Sequence, residues 1–161
     1  MIFVTVGTDL PFDRMMKVID KWARENSCHE VFAQIGEDGW EPEYIQFAHF
    51  LRPAEFVEYF KSASLIISHA GMGTILSAQH YGKPILVMPK KASLGEHRNE
   101  HQTATARQMR EIGGVNVAFD EDELLAWLDR LHELVAPRRI GESASSALVK
   151  GLSDFIHQRV S

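Results

Sequence analysis

A single cysteine, Cys28, stands in the whole chain, which excludes an internal disulfide and leaves a buried or idle thiol. Long apolar runs are missing too. Nothing approaches the ~18 consecutive apolar residues of a membrane-spanning helix. Positive charge is in deficit, with 17 Lys and Arg against 22 Asp and Glu, and the net charge of −5 argues against a general nucleic-acid binder. The opening Met1-Ile2-Phe3-Val4-Thr5-Val6-Gly7 has no basic flank and is too short for a signal peptide. A cytoplasmic protein is expected. Internal repeats, low-complexity tracts and linkers are also lacking, so the 161 residues read as one domain, 1–161. What is present suits that reading: 45% hydrophobic and 24% charged residues are the proportions of a globular protein with a real core.

Strand and helix patterns alternate along the chain. Ile2–Val6 is a short β-rich run ended by Gly7, and Met15, Met16, Ile19, Trp22 and Ala23 then recur at helical spacing, in a helix that starts near Asp9-Leu10-Pro11. Further strands are expected at Val31–Ile35, Phe47–Leu51, 65–67, Ile85–Met88 and 115–118. Helices are expected from Pro53 to Lys61, Thr74 to Tyr81, about Glu96 to Ile112, Asp120 to Leu134 and about 142 to 159. Several strands lack the polar alternation of a one-sided sheet. The pattern is that of a doubly wound, Rossmann-like α/β domain with a parallel sheet covered on both faces. Ligands of such folds bind outside the carboxyl ends of the strands. That rule gathers four loops on one rim: Gly7–Phe12, Leu51–Pro53, Ser68–Thr74 and Pro89–Asn99.

The most informative of these is Ile67-Ser68-His69-Ala70-Gly71-Met72-Gly73-Thr74, a strand that breaks at two glycines and resumes as a helix. Gly71 and Gly73 would let a ligand approach the backbone, and the free N–H groups of the helix behind them attract phosphate. A plain structural corner is the competing reading. Two familiar phosphate motifs are excluded, since a dinucleotide fingerprint needs glycine where Leu76 stands and a Walker loop needs Gly-Lys-Ser/Thr. One strand later the same rim carries Glu96-His97-Arg98-Asn99-Glu100-His101-Gln102. On a helix His97 and His101, four apart, share a face. With Glu100 they spell His-x-x-Glu-His, a string also found in zinc peptidases, although no third ligand is evident. A solvated helix start and a polar-ligand site beside the phosphate site are the other readings, and the last is preferred. Asp120-Glu121-Asp122 reads as an acidic helix start rather than a metal motif.

Taken together, His69-Ala70-Gly71-x-Gly73-Thr74, Gly82-Lys83-Pro84, the strand ending in Pro89, Gly95-Glu96-His97 and His101-Gln102 resemble the C-terminal domain of glycosyltransferase family 28. The opening Phe3-Val4-Thr5-Val6-Gly7-Thr8 is similar to that family's start, and the resemblance runs from about Met1 to Leu134. It is strongest to single-domain subunits of two-component transferases in capsule and exopolysaccharide synthesis. A more distant likeness is to the eukaryotic subunit that, with a membrane partner, adds the second GlcNAc to a dolichol-linked acceptor. The resemblance implies the donor-binding half of a GT-B enzyme, a UDP-sugar as donor substrate, and no bound metal or other cofactor. It implies that Gly71, Gly73 and Thr74 cradle the diphosphate after His69, that Leu51 and Arg52 face uracil, and that Gly7 and Thr8 line the cleft. It further places His101 and Gln102 at the sugar, beside Glu96, His97 and Asn99. Ser77 stands where many relatives carry a ribose-binding glutamate; a hydroxyl makes one of the hydrogen bonds for which a carboxylate makes two.

The activity so implied is a hexosyltransferase that moves a sugar from UDP to a lipid-diphosphate-linked saccharide, active with a membrane-associated acceptor-binding partner subunit that supplies the base. The chain would then sit at the inner face of the membrane through that partner. A non-catalytic nucleotide-sugar-binding or assembly subunit is the alternative. Ala147, Leu148, Leu152, Phe155 and Ile156 draw an apolar stripe on the last expected helix. It would cap the sheet, or meet the partner, or make a homodimer when the chain is alone.

Overall fold

The computed structural model describes residues 1–134. Six strands and five helices alternate: β1 Ile2–Thr5, α1 Asp13–Glu25, β2 Val31–Gln34, β3 Gln46–Ala48, α2 Pro53–Ser62, β4 Leu65–His69, α3 Met72–Tyr81, β5 Ile85–Met88, α4 His101–Ile112, β6 Asn116–Val117 and α5 Glu121–Leu128. All strand pairs are parallel and the sheet order is β3-β2-β1-β4-β5-β6. The fold is the doubly wound α/β sheet that the alternation implies. The helix expected over 142–159 lies outside the described residues.

The central strands are buried on both faces, which is why their sequences lack polar alternation. On β1, Ile2 and Val4 join one core with Met15, Met16, Ile19 and Trp22 of α1 and Leu124 and Leu128 of α5. Phe3 faces the other way, into a core with Phe60, Ile66, Ile75, Val87 and Met109. Its ring stacks on Tyr59 at 5.7 Å and meets Phe56 and Phe60 edge-on. A fully buried phenylalanine in such a cluster is worth about 3–5 kcal/mol against alanine. The Asp20 carboxylate of α1 accepts N–H bonds from Glu43, Tyr44 and Ile45 at 2.9–3.2 Å. It pins the β2–β3 connection to the helix.

Several element boundaries differ from the sequence expectation: β3 covers Gln46–Ala48 rather than Phe47–Leu51, and α3 begins at Met72 rather than Thr74. Helix α1 begins at Asp13 rather than near Asp9, because Phe12 is fully buried and anchors the preceding loop. Helix α4 begins at His101 rather than Glu96. Gly95 takes a left-handed backbone (φ +71°) and the Glu96 side chain turns inward, so the chain cannot coil there. The last described helix stops at Leu128, and only a short 3-10 turn, Leu131–Glu133, follows.

From β1 the chain builds outward through β2 to β3, then returns to place β4 on the other side of β1. The loops leaving β1 and β4 therefore diverge between two neighbouring strands. This is the topological switch point, where open α/β sheets hold their ligands.

Candidate functional site

At that switch point lies a cleft of about 550 Å³. Its walls come from the ends of five strands: Gly7 and Thr8 after β1, Gln34 on β2, Leu51 after β3, His69, Gly71, Gly73, Thr74 and Ser77 on β4 and α3, and Lys90 after β5. A second hollow of about 500 Å³ shares His69, Gly71, His97 and Gln102 with it and adds Asn99 and His101. A further hollow of about 620 Å³, beside Arg107 and Arg110, shares none of the glycine-turn residues.

Helix α3 points its N-terminus at the cleft. Gly71 is its N-cap, and Ile75 N–H donates to the Gly71 carbonyl at 3.1 Å. The amides of Met72, Gly73 and Thr74 precede the first intrahelical donor, Ile75 N–H, and are the natural partners of an anion. A Cβ on Gly73 would meet nothing within 4 Å, so the space over this turn is open. Gly71 and Gly7 are glycine for a different reason. A Cβ on Gly71 would lie 2.2 Å from His69 Cε1, and one on Gly7, itself at φ +82°, 2.6 Å from His69 Nε2. The two glycines make room for an imidazole, whereas the space beside Gly73 is open.

The His69 ring is held from behind. Gln102 Nε2 lies 3.1 Å from His69 Nδ1, and Gln102 Oε1 accepts the Lys90 backbone N–H at 3.1 Å. Burial first, and then the positive charge of Lys90, hold the His69 imidazole down to about 4, so it is neutral at physiological pH. Lys90 lies buried just after β5, with its Nζ donating to the Leu10 carbonyl, and it lines the cleft. Desolvation lowers it to about 8, against the pull of Asp9 and Glu96. No carboxylate of the described residues pairs with it within 4 Å.

The expected site residues divide under this geometry. Gly7, Thr8, Leu51, His69, Gly71, Gly73, Thr74, Ser77, His97 and Gln102 line the cleft, and Asn99 and His101 line the adjoining hollow. Glu96 and Arg52 line neither. The Glu96 carboxylate takes Arg14 Nε at 2.8 Å and Nη2 at 3.0 Å, and accepts Lys91 N–H at 2.9 Å, so it is a strut between α1 and the β5–α4 loop. Arg52 lies on the surface against Glu55. His97 falls in the turn before α4, with Nδ1 3.2 Å from the Asn99 carbonyl oxygen, and so shares no helical face with His101. Ser77 donates its hydroxyl to the Gly73 carbonyl at 2.8 Å, which leaves only its lone pairs for a ligand.

Lys90 and Gln34 are among the cleft residues that sequence did not single out. Gln34 accepts from Thr5 Oγ1 at 2.7 Å and donates to the Gly7 and His49 carbonyls at 3.2 and 3.1 Å, tying the β1 and β3 loops together. The available signal was a polar residue at the carboxyl end of an otherwise apolar strand.

A parallel sheet with a helix N-terminus at its switch point is the ligand-binding arrangement of open α/β domains in general. The model of the glycosyltransferase family 28 C-terminal domain matches residues 1–157, and the chain belongs to that family. Among curated proteins, the UDP-N-acetylglucosamine transferase subunit ALG13 of Eremothecium gossypii is 38% identical over 78 residues, 47% of this chain and 36% of its own. Human ALG13 is 30% identical over 122 residues, 70% of this chain and 10% of its own. The chain thus matches a minor part of each of these curated relatives. Among solved structures, that of ALG13 superposes with a TM-score of 0.60 at 18% identity, over 86% of this chain and 89% of that one. MurG of Acinetobacter baumannii gives 0.59 at 19% identity, over 81% and 41%. These likenesses show the fold.

Proposed function

We propose that this chain is the UDP-sugar-binding subunit of a two-component glycosyltransferase. The observation that carries the reading is the open first turn of α3 over Gly73, aimed into the switch-point cleft. A diphosphate seated there would receive the free amides and the helix dipole, and its uridine would lie toward the Leu51 loop. Sugar transfer breaks the bond between the anomeric carbon and the diphosphate oxygen and forms one to an acceptor hydroxyl. The charge that gathers on the departing UDP is what preorganised N–H donors stabilise, and no metal is assigned to that task.

The curated relatives are subunits of a UDP-N-acetylglucosamine transferase, which supports a UDP-sugar donor and action as a subunit. The proposal extends to the other half of the reaction. The acceptor is a lipid-diphosphate-linked saccharide of polysaccharide synthesis, and the partner is a membrane-associated subunit that supplies the acceptor site and the base. The chain is cytoplasmic and peripheral to the membrane through that partner. Among the described residues no helix is long and apolar enough to cross a membrane. A nucleotide-sugar-binding subunit without turnover is the second reading, favoured by Ser77, whose only proton is already donated to Gly73.

Titration calorimetry with UDP, UDP-N-acetylglucosamine and NAD tests the donor assignment. UDP and its sugar are expected to bind and NAD is not. A preference for NAD, or no UDP binding at millimolar concentration, would remove the reading. Transfer assayed with and without the partner then separates the enzyme from the binding subunit.

A further inference from the structure

The hydrogen bond between Gln102 and His69 has a direction that the structure itself assigns. The Lys90 amide is a donor and nothing else, so the Gln102 atom facing it at 3.1 Å is the carbonyl oxygen. The other end of the side chain is then the NH2 group, 3.1 Å from His69 Nδ1. An NH2 group only donates, so Nδ1 must present its lone pair and the proton of the neutral ring must sit on Nε2. The Nε2 edge lies between Gly7 and Gly71, at the positions where their Cβ atoms would be. Nε2 has no hydrogen-bond partner among the described residues. Both glycines line the cleft.

We propose that Gln102 is a positioning residue: anchored by the Lys90 amide, it locks His69 as the tautomer protonated on Nε2, so that the cleft wall offers a neutral N–H donor to the donor diphosphate. This inference rests on the UDP-sugar reading for its ligand, and on the protein alone for its tautomer. The alternative tautomer would turn a bare lone pair toward the anion, which repels it. The same lock explains the burial of Gln102, which is 7% exposed although it borders both hollows. Lys90 contributes from two sides. Its backbone orients the amide, and its ammonium, with His97 as a further neighbour, opposes a second proton on the ring.

The test is two-bond 1H–15N correlation spectroscopy of the imidazole nitrogens in the ligand-free wild-type protein, joined to UDP calorimetry. His69 is expected to show an unprotonated Nδ1 and a protonated Nε2 between pH 6 and 8. A ring protonated on Nδ1, or a mixture of tautomers, would overturn the proposal with no variant needed. Gln102→Glu keeps an acceptor for the Lys90 amide and sets a carboxylate against Nδ1. It should move the proton to Nδ1, raise the pH at which His69 titrates, and weaken UDP binding about tenfold at a pH where the ring is neutral. A reversed tautomer with unchanged UDP affinity would overturn the role toward the diphosphate. Failure of the wild type to bind UDP would remove the functional reading instead, and the ring signature tells the two failures apart.

Discussion

Gly73 and Gly71 stand two residues apart in one turn, yet alanine should act oppositely at the two. At Gly73 a methyl group meets nothing within 4 Å, and the backbone is in no left-handed conformation. The residue is second in α3, in a backbone conformation alanine adopts freely, so alanine lowers the entropy of the unfolded chain and should stabilise the fold by about 0.4–1 kcal/mol. For a domain of this size that is a rise of about 1–4 °C in Tm. The same methyl fills the space through which a phosphate oxygen must come within ~3 Å of the amides. UDP affinity should therefore fall at least tenfold, ~1.4 kcal/mol. At Gly71 the methyl would lie 2.2 Å from His69 Cε1 and 2.7 Å from Nε2. The ring must move and its bond to Gln102 is lost, which together cost about 2–4 kcal/mol from overpacking and one hydrogen bond. Thermal melts and UDP calorimetry on both variants are the assay. A Gly73→Ala protein that binds UDP like the wild type would refute the cradle, and a Gly71→Ala protein with an unchanged melt would refute the packing argument.

Acid should destabilise the fold through His69. An unfolded histidine takes up a proton near pH 6.5, whereas the folded ring, desolvated and beside Lys90, resists until about pH 4. Between these limits the unfolded state binds the additional proton, so stability is full above pH 6.5 and falls as pH drops toward 4, by about 3 kcal/mol for this group. Denaturant melts across that window should lose this dependence in His69→Gln; a wild-type stability flat from pH 6.5 to 4 would count against the burial of a neutral ring. Arg14→Ala strands the Glu96 carboxylate and should cost ~3 kcal/mol, because a buried charge loses its ion pair and keeps the Lys91 amide as its hydrogen-bond donor. Adding Glu96→Gln should recover part of that loss in a double-mutant cycle, and purely additive losses would show that the pair is not coupled.

Local chemistry carried much of this protein in its sequence. Apolar runs such as Ile85–Met88 could only be strands buried on both faces, and their alternation with helical periodicity implied a parallel, doubly wound sheet. Given that topology, the rim rule placed the Gly7 and Gly71 loops together before any coordinate did. The glycine-rich strand end at Gly71 announced α3, which begins at Met72, two residues before the expected Thr74. Those features depend on neighbours a few residues away, so they are legible in order along the chain.

What only the tertiary structure decided were the contacts between residues distant in sequence. Gly71 is glycine because the His69 ring occupies the site of its side chain, a requirement identical in sequence to that of a ligand-binding glycine. Glu96 looked like a site residue until Arg14, 82 positions away, proved to hold it. His97 and His101 are four apart but fall on either side of a helix start, because the inward turn at Glu96 ends any helix there. Lys90 and Gln102 gain their roles through a ring 21 and 33 residues upstream. Spacing reports periodicity along one element. Which side chain fills a gap, neutralises a charge or orients a proton is set by packing between elements, where sequence distance carries no information.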